Sequence, residues 1–365
     1  MTAPLSTSNS SADFFDDKPW TLAIIGSLFI VTVAVLFFEY NLRSRHWTPT
    51  VSDSPELWAQ ERDRASALGK EALILIGGSR IQLGVDLDVL EKHAGKKPVQ
   101  LAIDGSNFYP VLKNLAEDPH ITGDVILDLN EFLIQNLYLH DKGWDWVAAY
   151  EQRQQQPLYQ QVDQRIHNAL TSTMITKMEG AKPSKVINDL VFHPKKNTGN
   201  YLITHGNRSR DADYSKVKMP DFYISRVIRH SLLNLSTEAA TTYQQVLDIY
   251  EAAIPQIQQG DQTAFEENLL KMLALIKMIE QRGSQVIIVR MPTSKLVWKI
   301  DQQRFPAELF WQKIISQHPT SIHGVLEPSL GSFDLPDGSH LDQKDKAAFT
   351  EQLYQVIAKH GNTRI

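Results

Sequence analysis

The sequence predicts an α/β protein: a parallel sheet covered by helices on both faces, interrupted by a large helical insertion and preceded by one transmembrane helix. Three observations lead there. An uncharged run, WTLAIIGSLFIVTVAVLFF, occupies residues 20–38. Beyond it, short and continuously apolar runs each close in a turn rich in Gly, Asn or Asp. Helical stretches alternate with those runs. Unbroken apolar strands are the mark of burial on both faces, and their alternation with helices is the mark of a parallel sheet.

Taken in order, residues 1–19 are rich in Ser, Thr and Asp and are expected to be a disordered tail. The apolar run, at roughly 1.5 Å per residue, comes close to the thickness of a bilayer core. Trp20 before it, and Tyr40 and Trp47 after it, suit the interfacial zones. A retained anchor over 20–40 is the reading taken. A buried core helix rarely stays uncharged for so long. A cleaved signal peptide is disfavoured by the length of the run and by the flank FFEYNLRSRHW, which has no small-x-small site.

Residues 41–70 read as a stalk and a leading charged helix, PELWAQERDRASALG, and an α/β domain is expected over 71–360. Its strands are expected at 72–76 (ALILI), 99–103 (VQLAI), 125–129 (VILDL) and 286–289 (VIIV), with a weaker one near 322–326. Helices are expected near 86–94, 108–116, 262–282 and 343–358. Between the third and fourth strands lie roughly 150 residues without a strand pattern, far more than one crossover needs. This Gln-rich stretch reads as a helical insertion or lid over about 135–280, with a polar loop at 193–215.

Composition narrows the chemistry. The 365 residues suit one large or two modest domains, and 42% hydrophobic content is enough for a sizeable core. A net charge of -5 from 37 basic and 42 acidic residues, with no basic run, gives no support for a nucleic-acid partner. With no cysteine, disulfides, thiolate metal sites and cysteine nucleophiles are excluded. Neither HExxH nor an EF-hand loop is present, and GGSRIQLG matches neither GxGxxG nor a P-loop. No metal or nucleotide cofactor is indicated.

Candidate functional residues stand at the strand ends. The first strand runs into Gly77-Gly78-Ser79-Arg80, which exposes a serine at the carboxyl edge of the sheet, where open α/β folds bind ligands. Such a turn is also a common linker. The second strand ends at Asp104-Gly105-Ser106-Asn107 and the third at Asp128-Leu129-Asn130-Glu131. Gly105 permits close backbone approach or is an ordinary turn residue. Asn130 is equally suited to donate to an oxyanion and to cap the next helix. Ahead of the last helix, Asp337 and His340 are spaced so that the carboxylate can fix the imidazole in one tautomer. A serine hydroxyl requires such a base to attack at neutral pH.

Ser, Gly, Asn and Asp-x-x-His in this order resemble the SGNH (GDSL-like) hydrolase superfamily, over roughly 71–131 and 284–358. The resemblance implies a three-layer, flavodoxin-like fold with Ser79 as nucleophile and His340 as general base, oriented by Asp337. It also implies an oxyanion hole from the Ser79 amide, the Gly105 amide and the Asn130 side chain. Two blocks depart from the pattern: Gly78 replaces the aspartate of GDS, and DLNE replaces GxND, with Asp128 for the glycine and Glu131 for the aspartate. Asn107 is a rival for the asparagine role. The anchor likens the chain to the membrane-tethered branch, which includes accessory proteins for polysaccharide O-acetylation and for teichoic-acid D-alanylation.

That branch implies a serine acyl esterase or O-acyltransferase acting on a cell-envelope carbohydrate beside a membrane-bound O-acyltransferase. The alternative is a non-catalytic polysaccharide-binding or assembly component of the same fold. The resemblance places the domain on the outer face of a bacterial inner membrane, in the periplasm. The charges flanking the span, Lys18 among acidic residues before it and Arg43 and Arg45 after it, lean weakly the other way. Among lesser candidates, Arg80 is suited to a substrate carboxylate or phosphate, or to a pair with Asp104 or Glu131. Arg290, at the fourth strand's end, is a pocket-lining residue or a plain strand terminus. Lys195, Lys196, His205, Arg208 and Arg210 belong to an anionic-polymer contact or to a solvated loop.

Overall fold

The computed structural model describes residues 20–44, 47–153, 158–174, 200–217 and 242–360. The chain divides into two compact units, Met1–Thr48 with Met174–Thr198, and Pro49–Thr173 with Gly199–Ile365. In the first unit, helix α1 spans Trp20–Ser44, 25 residues with a mean hydropathy of 2.6 over its apolar stretch. At 1.5 Å per residue it is about 37 Å long, enough to cross a membrane. The hydroxyls of Ser27 and Thr32 donate to the carbonyls of Ala23 and Leu28, so both are satisfied inside the helix as an apolar medium requires. The helix runs past residue 40, and Arg43 there pairs with Glu39 at 2.8 Å. The tail expected over 1–19 lies outside the described residues.

The second unit holds a five-stranded, all-parallel sheet. Its strands are β1 (Ala72–Ile76), β2 (Lys97–Gln100), β3 (Asp124–Asp128), β6 (Val286–Arg290) and β7 (Ile322–His323). Between β3 and β6 the chain forms a separate hairpin, β4 (Leu202–Thr204) and β5 (Arg210–Ala212). The sheet order is β2-β1-β3-β6-β7. The chain steps from β1 to one side and then returns to place β3 on the other, so a topological switch point lies between β1 and β3. In doubly wound sheets this is where ligands bind, beyond the carboxyl ends of the strands.

Helices α2 (Pro55–Leu68), α3 (Ser79–Gly84), α4 (Leu87–Ala94), α5 (Tyr109–Glu117), α6 (Glu131–Gln135), α7 (Lys142–Arg153) and α8 (Leu158–Thr173) precede the hairpin. After it come α9 (Tyr243–Ala253), α10 (Gln262–Glu280), α11 (Lys295–Arg304), α12 (Trp311–Gln317), α13 (Pro328–Gly331) and α14 (Gln343–Lys359). Every residue of β1, β3 and β6 is buried, and alternate side chains enter two different cores. Ile74, Ile76, Leu127 and Ile288 pack with Trp58 of α2, Leu112 of α5 and Leu269 and Met272 of α10. Leu73, Leu75, Ile126 and Val289 pack with Leu90 of α4 and with Phe349 and Leu353 of α14. Helices on both faces are what continuous apolar strands demand.

Differences from the sequence reading have physical causes. Beyond β2 the extended chain follows β1 as far as Ile103, whose amide donates to Gly77 O at 3.0 Å. β7 has two residues because the chain turns at Gly324, where a Cβ would lie 2.8 Å from Arg290 O and 2.9 Å from Pro292. The leading helix α2 belongs to the core: Trp58 is fully buried, and its indole N–H donates to Leu101 O at 3.0 Å. Within 135–280 the described residues include the hairpin as well as helices. Buried Arg208 anchors that hairpin, bonding through its guanidinium to both oxygens of Asp53 and to the carbonyls of Gln100 and Ala102.

Candidate active site

The turn after β1 fixes where Ser79 stands. Gly77 has φ +144°, and a Cβ there would lie 2.7 Å from Asp128 Cβ and 2.8 Å from Asp128 O, so the position excludes any side chain. Gly78 is the extended N-cap of α3, and Ser79 is the first helical residue.

The partner turn comes from the opposite end of the domain. One oxygen of Asp337, Oδ1, accepts the amides of Ser339 at 2.9 Å and His340 at 2.8 Å, closing an aspartate turn. Gly338 supplies a left-handed residue at φ +78° where a Cβ would meet Val297 at 2.9 Å. The turn presents His340 with Nδ1 at 2.8 Å from Asp337 Oδ2 and Nε2 at 2.8 Å from Ser79 Oγ. Asp337 is 1% exposed and His340 7%. Burial opposes ionisation of Asp337, but the bonds from His340, Tyr214 and Ser339 outweigh it and hold the carboxyl below its ordinary pKa. An ionised Asp337 keeps a proton on Nδ1, so that Nε2 faces Ser79 Oγ as an acceptor.

Gly105 and Asn130 lie in the turns that follow β2 and β3, the two neighbours of β1. Gly105 adopts φ +67° with nothing within 4 Å of where a Cβ would stand. Asn130 caps α6 by accepting the Leu133 amide at 3.0 Å through Oδ1. Its capping role and a donor role are compatible, since the cap uses only the oxygen. The amides of Ser79 and Gly105 and the Asn130 Nδ2 donate to no protein acceptor among the described residues. Donors of this kind, at the carboxyl ends of adjacent strands, are suited to a developing oxyanion.

The remaining expected contacts separate. Arg80 donates from Nε to Ser339 Oγ at 2.9 Å, and its charge favours ionisation of buried Asp128; its partner is thus neither Asp104 nor Glu131. Asn107 is interior: both amide protons go to the Leu133 and Asn136 carbonyls at 3.0 Å, while Oδ1 accepts the Tyr109 amide. Arg290 is also interior, 1% exposed, with its guanidinium on Glu131 at 3.0 Å, Asp301 at 2.8 Å and Thr293. Both amide protons of Asn107 are consumed inside the protein, and Arg290 is sealed from the cavity by burial. Lys195 and Lys196 lie outside the described residues. His205 pairs with Asp211 at 2.7 Å, and Arg208 is the hairpin anchor.

Two contributors come from the hairpin. Tyr214, just after β5, donates its hydroxyl to Asp337 Oδ2 at 2.7 Å. Arg210 pairs with Asp104 at 3.1 Å beside a cavity of about 80 Å³ that also touches Ser79, His340 and Leu83. Asp104 is held ionised: burial works against it, and Arg210 prevails with help from Lys142. Tyr214 escaped the sequence reading because its partner is 123 residues away, and no local spacing announces such a pair.

Asp128 differs from the other carboxylates. Full burial pushes it up to about 6, against Arg80, Arg290 and the amides of Met291 and Gly78. The Gly78 amide bond brings together two positions where the sequence departs from the GDS and GxND patterns.

No family model matches the chain, and no curated protein matches it. Fold and site therefore carry the functional reading.

Proposed function

We propose that the chain is a membrane-anchored serine acyl esterase or O-acyltransferase of the SGNH type, acting on a cell-envelope carbohydrate. The observation that carries this reading is the unbroken Ser79–His340–Asp337 chain of 2.8 Å contacts, assembled from residues 261 positions apart. The parallel sheet with helices on both faces fits the three-layer fold of that superfamily, and helix α1 fits the tethered branch.

Ser79 Oγ attacks the acyl carbonyl while its proton passes to His340 Nε2. The oxyanion forms between the Ser79 amide, the Gly105 amide and Asn130 Nδ2. As the carbonyl re-forms, the bond to the alkoxy leaving group breaks, and His340 returns the proton to that oxygen. The acyl group remains on Ser79. A sugar hydroxyl or water then adds to the acyl carbon, giving its proton to His340, and Ser79 recovers that proton on release. Asp337 stays ionised throughout and stabilises the imidazolium. In the tethered branch the domain works beside a membrane-bound O-acyltransferase and faces the periplasm.

Hydrolysis of an activated acetyl ester by the full chain in detergent tests this reading. Turnover lost by at least about a thousandfold in Ser79→Ala is expected for a nucleophile. Turnover unchanged in that variant overturns the reading. A folded protein with no turnover favours the non-catalytic, polysaccharide-binding alternative.

A further inference from the structure

We infer that Tyr214 is a positioning residue that sets the basicity of His340 through Asp337, which makes the inserted hairpin part of the active site. The inference rests on the acyl-transfer reading for its kinetic consequence, but its geometry stands apart from it. The Tyr214 hydroxyl donates to Oδ2 at 2.7 Å, the same oxygen that faces His340 Nδ1 at 2.8 Å. With the Ser339 and His340 amides on Oδ1, the carboxylate accepts from four donors. Each donor draws charge from the carboxylate and weakens it as an acceptor for the imidazolium. Tyr214 therefore restrains Asp337 from over-stabilising the protonated histidine, which must later release its proton to the leaving oxygen.

Tyr214 is well placed to do this. Its ring is 9% exposed and packs with Leu83 and Ala212, and Leu83 is one helical turn beyond Ser79 on α3. The hairpin thus touches the nucleophile's helix with its apolar side and the carboxylate with its hydroxyl. Arg208 fixes the hairpin, and Lys346 of α14 holds its far strand through Arg210 O at 2.9 Å and Asp211 at 2.8 Å. The other groups around the imidazole are Ser79 of α3, Arg80 through Ser339, Asp104 after β2 and Arg210 of β5. All of them remain in Tyr214→Phe, so that variant isolates the hydroxyl.

The test uses the full chain in detergent, with the pH–rate profile on p-nitrophenyl acetate and the His340 ring titration in histidine-labelled protein by NMR. In Tyr214→Phe both the rising limb and the ring titration move to higher pH, by about half a unit to one unit. With 3-fluorotyrosine at position 214, a stronger donor, both move to lower pH. Titrations that coincide across the three proteins overturn the inference, even if Tyr214→Phe lowers the melting temperature. If the wild type turns over no ester, the acyl-transfer reading fails, and the NMR titration alone decides the role of Tyr214. If the phenylalanine variant does not fold, the fluorotyrosine shift decides it.

Discussion

A Cβ on Gly77 would stand 2.7 Å from the Cβ of Asp128, so the turn that presents Ser79 is shaped by a residue at the end of the neighbouring strand. Gly77 also has φ +144°, a conformation that L side chains rarely adopt. Gly77→Ala is expected to destabilise the domain by about 2–4 kcal/mol, from steric overlap and backbone strain together. Urea unfolding checks the stability, and ester turnover under folded conditions checks the site. If Ser79 acts as proposed, turnover should fall further than the unfolded fraction explains, because the displaced turn carries Ser79.

Two buried groups give stability opposite dependences on pH. Burial, and then Arg290, hold His323 down to about 3. As pH falls below about 6.5 the unfolded chain takes up a proton that folded His323 refuses, and stability drops by about 1.4 kcal/mol per unit. Asp128, raised by burial to about 6, works the other way: its contribution is present below about 4 and is lost as pH rises to about 6. Between about pH 4 and 6 the two largely cancel. His323→Gln should lose stability as pH rises through that window, and Asp128→Asn should gain it. Urea unfolding at several pH values checks both signs; parallel curves for the two variants would contradict the account.

The buried cluster on β6 makes a third expectation. Arg290 is 1% exposed and lies between Glu131, itself buried, and Asp301. Arg290→Met leaves a carboxylate buried without its cation and is expected to cost about 3–5 kcal/mol. Adding Glu131→Gln should recover a large part of that loss. A double variant as unstable as the sum of its singles would show that the two residues are not coupled.

Much of the fold is legible in the sequence because β1, β3 and β6 are buried on both faces, which forces unbroken apolar runs. The hairpin is not legible: its strands have three residues each, and Arg-Asp-Ala carries no alternation. Its main anchors, Arg208 and Lys346, reach partners distant in sequence: residues 53, 100 and 102 for the first, and the hairpin itself, about 135 positions away, for the second. At the site, Ser79, Asp337 and His340 stand out because each ends an apolar run or opens a helix in a recognisable turn. Asn107 and Arg290 occupy equally suggestive turns, and only the fold reveals that both are buried on internal partners. Periodicity reports burial of a position, not the partner that a buried polar group finds.

The anchoring role of Arg208 yields a further outcome. Arg208→Ala removes its bonds to Asp53 and to the ends of the edge strand, and hydrogen exchange should rise across 200–217 while β1 and β3 stay protected. Because the hairpin delivers Tyr214 to Asp337, ester turnover should fall with it. Unchanged exchange in 200–217 would show that other contacts hold the hairpin.

The central claim is that Ser79 carries an acyl group. Intact-protein and peptide mass spectrometry of the full chain in detergent, after brief exposure to an activated acetyl ester and acid quench, measures this directly. The account predicts one acetyl in place of a proton on Ser79, absent in Ser79→Ala and formed more slowly in His340→Ala and Asp337→Ala. Turnover of the ester with no acyl group on Ser79, or no adduct and no turnover in a folded protein, would contradict it.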